Sequence, residues 1–363
     1  MRTIVFTVTN ELSFDQRMIR ICSSVAEAGY DVLLVGFRRT GAPPLGAQPF
    51  RQKRLPLWIQ KGPLSYLEIN LRLLFFLLVC RLHAVCAIDL DTILPCWAAS
   101  ALRRVPRVYD AHELFCEMKE IVTRPRVYKA WKAIERFSVP RFPQGYTVNE
   151  PIRDILRQDY GVHYEVVRNI AVLRELPPAA PERFVIYQGA VNEGRSFETL
   201  IPAFKGLDVP FHIYGSGNYL EQAGRLIAEH GLAETVQLKG RALPADLARI
   251  TPRALLGFTL FDDLGRSNYL SLANRFFDYI HAGIPQVCVD YPVYRAINEQ
   301  FEVAVLVSDL SVEGLRETLR RTLTDEALLE RLRANCLRAR QELNWQRESE
   351  KLVVFYKKLF DGR

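Results

Sequence analysis

Two features are missing from this sequence of 363 residues: a long apolar run and a cysteine framework. The most apolar segment, 73–80, is bounded by Arg72 and Arg81. It falls well short of the roughly 20 apolar residues that cross a bilayer, so a buried helix is expected there. The seven cysteines, at 22, 80, 86, 96, 116, 288 and 336, are odd in number and include no Cys-x-x-Cys pair. This argues against a disulfide scaffold or a zinc knuckle and for a reducing cytosol. Low-complexity tracts and internal repeats are also missing. The opening MRTIVFTVTNELSFDQR has no basic stretch followed by an apolar run, and reads as a first strand rather than a secretory leader.

Acid is scarce in the first half. Residues 1–168 hold 24 Lys and Arg against 16 Asp and Glu, whereas 169–363 hold 24 against 25. The basic field favours an anionic partner: a phosphate-bearing acceptor, a membrane surface or a nucleic acid. Nucleic acid is the poorest of the three, because no recognised binding motif accompanies the charge.

What is present is a repeated alternation of short apolar strands and amphipathic helices. Strands are expected at 3–8, 31–36, 85–88, 107–109, 146–148 and 165–167, with a helix over 15–28. The pattern restarts with strands at 184–187, 211–214, 235–238, 255–260, 286–289 and 304–307, and helices over 197–204 and 219–230. This predicts α/β architecture with doubly wound parallel sheets. The expected division is a first domain at 1–168, a linker at 169–183 containing Pro177, Pro178 and Pro181, a second domain at 184–344 and a terminal amphipathic helix in 345–363. Length alone suggests two domains.

Open α/β sheets bind ligands at the carboxyl ends of their strands, so the loops there carry the functional reading. In YQGAVNEGRSFETLIPAF (187–204) a strand runs into Gly189 and Gly194, then Arg195, then a helix start. Free helix N–H groups and a fixed cation suit a diphosphate; the alternative is an ordinary loop with a surface arginine. HIYGSGNY (212–219) offers Gly215, Ser216 and Gly217 for close backbone approach. Leu220 stands where a dinucleotide fingerprint wants its third glycine. Arg241, after the next strand, is placed either to stack on a base or to sit in a plain turn. In NRFFDYIHAGIP (274–285), Asn274, Arg275 and Asp278 open a helix. Asp278 suits a ribose, or is simply a first-turn acid favoured by the helix dipole.

In the first half, YDAHE (109–113) packs Asp110, His112 and Glu113 into one strand-end loop, a better catalytic candidate than a lone histidine. Asp89 and Asp91 in AIDLDTILP sit at another strand end, to bind sugar hydroxyls or to cap the next helix. Residues 118–142 interleave Lys119, Arg124, Arg126, Lys129, Lys132, Arg136 and Arg141 with Ile121, Val127, Trp131, Ile134 and Phe137. Such a stretch suits an anionic membrane surface or a solvated helix face.

Taken together and in order, YQGAVNEGRSFETLIPAF, IYGSGNYLEQAGRLIAEHGLAETVQLKG and NRFFDYIHAGIPQVCVD resemble the GT-B glycosyltransferases of family GT4. The segments FDQRMIRICSSVAEAGYDVLLVG, VYDAHELFCE and TVNEPIRDIL…YGVHYEVVRN fit the same family. The resemblance implies two Rossmann-like domains facing a central cleft and a terminal helix crossing back to the first. It implies transfer of a sugar, of hexosyl type, from a nucleotide diphosphate sugar with retention of configuration and without a metal or other cofactor. Arg195 then holds the donor diphosphate, Gly189 lies in the same loop, Asp278 binds ribose and His112 lies near the donor sugar. Asp15, Arg17, Asp89, Asp91, Asp110 and Glu113 fall on the acceptor side. A glycan acceptor, lipid-linked and used in surface polysaccharide or glycoconjugate synthesis, is expected, which suggests a cytoplasmic protein peripheral on the inner face of the membrane. Two positions depart from the family: Leu270 replaces the first acid of a pair, and Ala190 replaces an arginine. Arg275 or Arg266 is the candidate substitute. The alternatives are another GT-B enzyme, such as a nucleotide-sugar 2-epimerase or a phosphorylase, and an inactive GT-B binding subunit.

Overall fold

The computed structural model describes all residues except 14, 177–179, 362 and 363. Pro177 and Pro178 of the expected linker, and the last two residues of the expected terminal segment, therefore lie outside the described residues. The chain forms two compact units: Met1–Asn169 with Trp345–Arg363, and Ile170–Asn344. Ile170 is already part of the second unit's core.

The first unit is built on β1 (Thr3–Thr7), β2 (Asp31–Arg38), β3 (Arg51–Pro56), β4 (Ala84–Ile88), β5 (Arg107–Ala111), β6 (Gln144–Thr147) and β7 (Glu165–Val166). They form one parallel sheet in the order β3-β2-β1-β4-β5-β6-β7. β1 and β4 are buried along their whole length, as the continuous apolar runs of a sheet covered on both faces demand. The sequence does not announce β3, RQKRLP. It is an edge strand in which only Leu55 is buried, and its charged residues protect that edge.

The helix Gln16–Glu27 packs against the terminal helix Trp345–Asp361. The latter buries Leu352, Phe355, Tyr356 and Phe360, and Tyr356 meets Phe6 edge to face. The helices Pro63–Val79, Ile93–Arg103 and Pro125–Ser138 adjoin one another, through Tyr66 on Trp131 and Trp97 on Phe137. Two expectations change here. The apolar segment 73–80 ends a longer helix, Pro63–Val79, that is buried along one side only, through Ser65, Ile69, Leu73 and Leu77. Within 118–142 the chain breaks at Arg124–Pro125, and Ile121 turns inward while Trp131 packs on Phe115. The apolar side chains of that stretch are largely used inside the unit; Arg124, Arg126, Lys129, Arg136 and Arg141 are exposed, while Lys132 is drawn into an ion pair with the buried Glu135.

The second unit is built on β8 (Val185–Gln188), β9 (Phe211–Tyr214), β10 (Val236–Gly240), β11 (Leu256–Thr259), β12 (Gln286–Val289) and β13 (Ala304–Val307). All pairings are parallel, in the order β10-β9-β8-β11-β12-β13. The strand order reverses between β1 and β4 in the first unit and between β8 and β11 in the second. At such switch points the following loops diverge and leave a crevice for a ligand.

Candidate functional site

In the second unit, the loops after β8, β9, β10 and β11 are stitched side by side by their backbones. The Gly189 N–H donates to the Tyr214 carbonyl at 3.0 Å, Gly215 to Gly240 at 2.8 Å, and Asp262 to Gly194 at 3.1 Å. The last bond spans the switch point. Two glycines make this spacing attainable. A Cβ on Gly215 would stand 1.8 Å from the Gly189 carbonyl oxygen. Gly194 has φ +77°, a conformation that strains other residues, and the Asp262 carboxylate lies 2.9 Å from where a Cβ would stand. Ser216 and Gly217 are exposed beside them, and the Val191 N–H donates to the Ser216 carbonyl at 3.1 Å.

Two guanidinium groups meet over this crevice. Arg195, from the loop after β8, lies 4.4 Å from the centre of the Phe261 ring. Arg275, the second residue of the helix Asn274–Ala282, lies 4.9 Å from the same ring and 4.6 Å from that of Tyr187. Arg275 is buried and adjoins Gly189. Arg195 Nε and Arg275 Nη1 are buried without a hydrogen-bond partner. Neither arginine makes an ion pair among the described residues. Burial, and next to it the charge of Arg275, lower the pKa of Arg195. Two cations held on aromatic faces, Arg275 buried and Arg195 half-buried with Asp262 close enough to act on it, make a site suited to an anion.

Asp278 lies half-buried in the same helix, one turn beyond Asn274. No acid lies in the first turn, so the helix dipole does not account for it. Its carboxylate accepts a long 3.4 Å contact from Gln188 Nε2, whose Oε1 accepts from Thr251 at 2.6 Å. Gln188 is thereby fixed with its amide N–H toward the acid. Asn274 and Arg241 are exposed. Leu270 is buried, so an apolar contact replaces the carboxylate that the family pattern leads one to expect there. Arg266 is exposed and, unlike Arg275, is not stacked on Phe261. Phe261 and Tyr187, the platforms beneath the arginines, went unnoticed in the sequence, where they look like ordinary strand-end aromatics.

In the first unit, β4 and β5 bring Asp89, Asp91, Asp110, His112 and Glu113 to one end of the sheet. Asp89 has φ +54° and accepts the His112 backbone N–H at 3.0 Å. His112 Nδ1 lies 3.9 Å from the other Asp89 oxygen. Burial, with Glu113, Asp110 and Asp91 nearby, pushes the Asp89 carboxyl well above the usual range. Burial, with Arg17 and Arg20, pushes His112 down to about 3, so its ring is neutral at physiological pH. Asp91 accepts from Thr9 Oγ1 at 2.9 Å, and its other oxygen is buried without a partner. Neither Asp89 nor Asp91 caps the following helix through its side chain, so the capping alternative lapses.

The remaining acceptor-side expectations fare differently. Asp110 is fully buried and bound by Arg17, itself buried, at 2.6 and 3.3 Å. Nε and Nη2 of Arg17 are taken up by Asp110, which fixes the strand end, while Arg17 Nη1 is buried without a hydrogen-bond partner. Asp15 caps the helix Gln16–Glu27 by accepting from the Met18 N–H at 3.0 Å, and Asn10 occupies its other oxygen at 3.2 Å. Glu113 is half-exposed.

Comparison with known proteins bears on both units. A family model described as Glycosyltransferase Family 4 matches residues 16–171, and one described as Glycosyl transferases group 1 matches 172–338. Among solved structures, the chain is similar to sucrose-phosphate synthase from Thermosynechococcus elongatus at 16% identity, with a TM-score of 0.79 and full coverage of both chains. It is similar to Anabaena HepE in complex with UDP-glucose at 12% identity and a TM-score of 0.77, covering 99% of this chain and 100% of that one. It is also similar to WaaG, a glycosyltransferase involved in lipopolysaccharide biosynthesis, at 15% identity and a TM-score of 0.70, covering 96% and 98%. Comparison with curated proteins returns no match. At these identities the structural likeness shows the fold alone.

Proposed function

Because the chain belongs to the GT-B glycosyltransferases of family GT4, we propose that Arg195 and Arg275 together hold the diphosphate of a nucleotide diphosphate sugar. The observation that carries this reading is the pair of guanidinium groups on Phe261, each with a buried unpartnered nitrogen, at the switch point of a parallel sheet. Arg275 takes over the contact that Ala190 does not make. Gly189, Gly194 and the 215–217 loop let the backbone approach the phosphates, and Asp278 accepts the ribose hydroxyls. A uridine nucleotide is the first donor to test, since the similar HepE structure contains UDP-glucose.

Chemically, charge grows on the departing diphosphate in the transition state, and two preorganised cations stabilise it there. The acceptor hydroxyl attacks the face that the nucleotide leaves, so configuration is retained, and the leaving phosphate takes the hydroxyl proton. This route uses no metal and no side-chain base, which agrees with a His112 ring that is neutral. The acceptor is a glycan carried on a lipid diphosphate, and Asp89, Asp91 and Glu113 are the first unit's candidates for its hydroxyls.

Arg195→Ala and Arg275→Ala each remove a charge-assisted contact worth about 1.5–3 kcal/mol, so donor affinity should fall roughly 10- to 100-fold in each. Calorimetric titration with UDP-glucose and UDP, and kcat/KM for the variants, check this. Unchanged binding in both variants would refute the assignment. The buried Leu270 favours one second reading, a binding subunit that holds donor without transferring it. Donor hydrolysis or transfer, assayed with chelator present, separates the two.

A further inference from the structure

The helix Pro63–Val79 carries apolar side chains on both of its sides. Inward, Ile69, Leu73 and Leu77 are buried. Outward, Leu64, Leu67, Leu71 and Phe75 recur at three- and four-residue spacing, with Leu64 63% and Phe75 71% exposed. Val79 extends this stripe at the far end, and Trp58, 81% exposed, and Ile59 lie beside it, held at Glu68 and Arg72. A continuous exposed apolar stripe of this length marks an interaction surface. It is not a span. The helix has 17 residues and is committed to the sheet on one side, and no helix among the described residues is long and apolar enough to cross a membrane.

Charge identifies the occupant. Between residues 51 and 81, six Lys and Arg stand against a single acid, Glu68. That acid is occupied: it accepts the Trp58 and Ile59 N–H groups at 3.0 and 2.8 Å and Arg72 Nε at 2.7 Å. Arg72 in turn stacks on Trp58 at 4.2 Å, which holds the aromatic ring beside the middle of the helix. Lys61 and Arg81 are exposed at either end. Beside the helix's last turn, a depression of about 660 Å³ is lined by Arg51, Lys53, Phe76, Val79 and Arg81 among others, with Lys53 4.8 Å from the Phe76 ring centre. Across the Tyr66–Trp131 contact lies the helix Pro125–Ser138, with Arg126, Lys129 and Arg136 exposed.

We propose that the outward face of the Pro63–Val79 helix lies in the interface of an anionic lipid bilayer, with Leu64, Leu67, Leu71 and Phe75 among the acyl chains and the surrounding cations on lipid phosphates. An aromatic–aliphatic stripe bordered by Lys and Arg is what an in-plane membrane helix presents. A second copy of the chain fits poorly, because a symmetric pairing through this stripe brings two cationic borders together. Asn70 of the same helix donates to the Asp91 carbonyl at 3.3 Å, so the docked face is fastened to the loop assigned to the acceptor. A lipid-borne acceptor would be met where the protein sits, yet the surface itself stands without the donor assignment.

The test is co-sedimentation of the full chain with vesicles, without nucleotide sugar, comparing phosphatidylcholine alone with phosphatidylcholine mixed with phosphatidylglycerol. The chain should pellet with the anionic vesicles and be partly released by salt. The variant Leu67→Ser/Leu71→Ser/Phe75→Ser, altered only at exposed positions, should lose at least about tenfold in partitioning while keeping wild-type UDP-glucose binding. Lys61→Glu/Arg81→Glu, which leaves the apolar face intact, should lose the preference for anionic lipid. Wild-type protein that stays in the supernatant, or an apolar variant that pellets like wild type, overturns the proposal. So does a concentration-dependent dimer that the apolar variant abolishes, since that assigns the face to a second copy. Donor binding is read separately, so failure of either assignment leaves the other distinguishable.

Discussion

At the scale of single residues, the two units treat charge in opposite ways. In the first, buried charge is neutralised locally: Arg17 closes on Asp110 as a two-bonded pair, and Asp89 is pushed toward its neutral form. In the second, Arg195 and Arg275 lie against the same aromatic ring, and neither makes an ion pair among the described residues. A buried pair is a poor source of net stability, whereas a buried unpaired cation is costly and marks a place where a ligand repays the cost. His112 offers a direct check on the first arrangement. Its folded pKa, about 3, lies below the ordinary histidine value, so the folded protein leaves it neutral while an unfolded chain would protonate it as pH falls below about 6.5. Its contribution is therefore present above that pH and lost between there and about 3. NMR titration of His112 should show no protonation shift between pH 8 and 5; a midpoint near 6.5 would show that Arg17, Arg20 and burial do not control it.

At the scale of elements, the donor crevice depends on backbone proximity more than on side chains. Gly215 is the tightest point, because any Cβ there meets the Gly189 carbonyl. Gly215→Ala should force the loops after β8 and β9 apart, costing at least about 1–3 kcal/mol and lowering the unfolding midpoint. Denaturant melts compare it with Gly46→Ala, where no atom lies within 4 Å of the added Cβ and little change is expected. Hairpin-like signals were not needed to find most strands, because parallel strands buried on both faces are continuous apolar runs. That is why β1, β4, β8 and β12 were legible. β3 was not, since an edge strand of Arg, Gln and Lys is held by its neighbour's backbone and needs no apolar pattern. The helix Pro63–Val79 was misjudged for the converse reason. Apolar residues all around a helix read as burial, and only the packing reveals which side is left uncovered.

At the scale of the whole molecule, the last 17-residue helix belongs to the unit formed by the start of the chain. Leu352, Phe355, Tyr356 and Phe360 are buried there, and each side chain contributes roughly 1.5–3 kcal/mol. The sum, about 6–12 kcal/mol, is comparable to the net stability of an ordinary domain. Ending the chain at Asn344 should therefore abolish cooperative folding of the first unit while the second still unfolds in a single transition. Calorimetry that retains both transitions would show the terminal helix to be dispensable. The sequence by itself determined the α/β class, the parallel sheets, the family and the loops at the strand ends, because these follow from local periodicity and from short glycine-bearing segments. Only the tertiary structure decided that Arg275 joins Arg195 on Phe261, that Arg17 pairs with Asp110, and that one apolar helix face is left open. The first two depend on residues about 14 to 93 positions apart being brought within a few ångströms, and the third on which side the rest of the unit covers, neither of which a local pattern encodes.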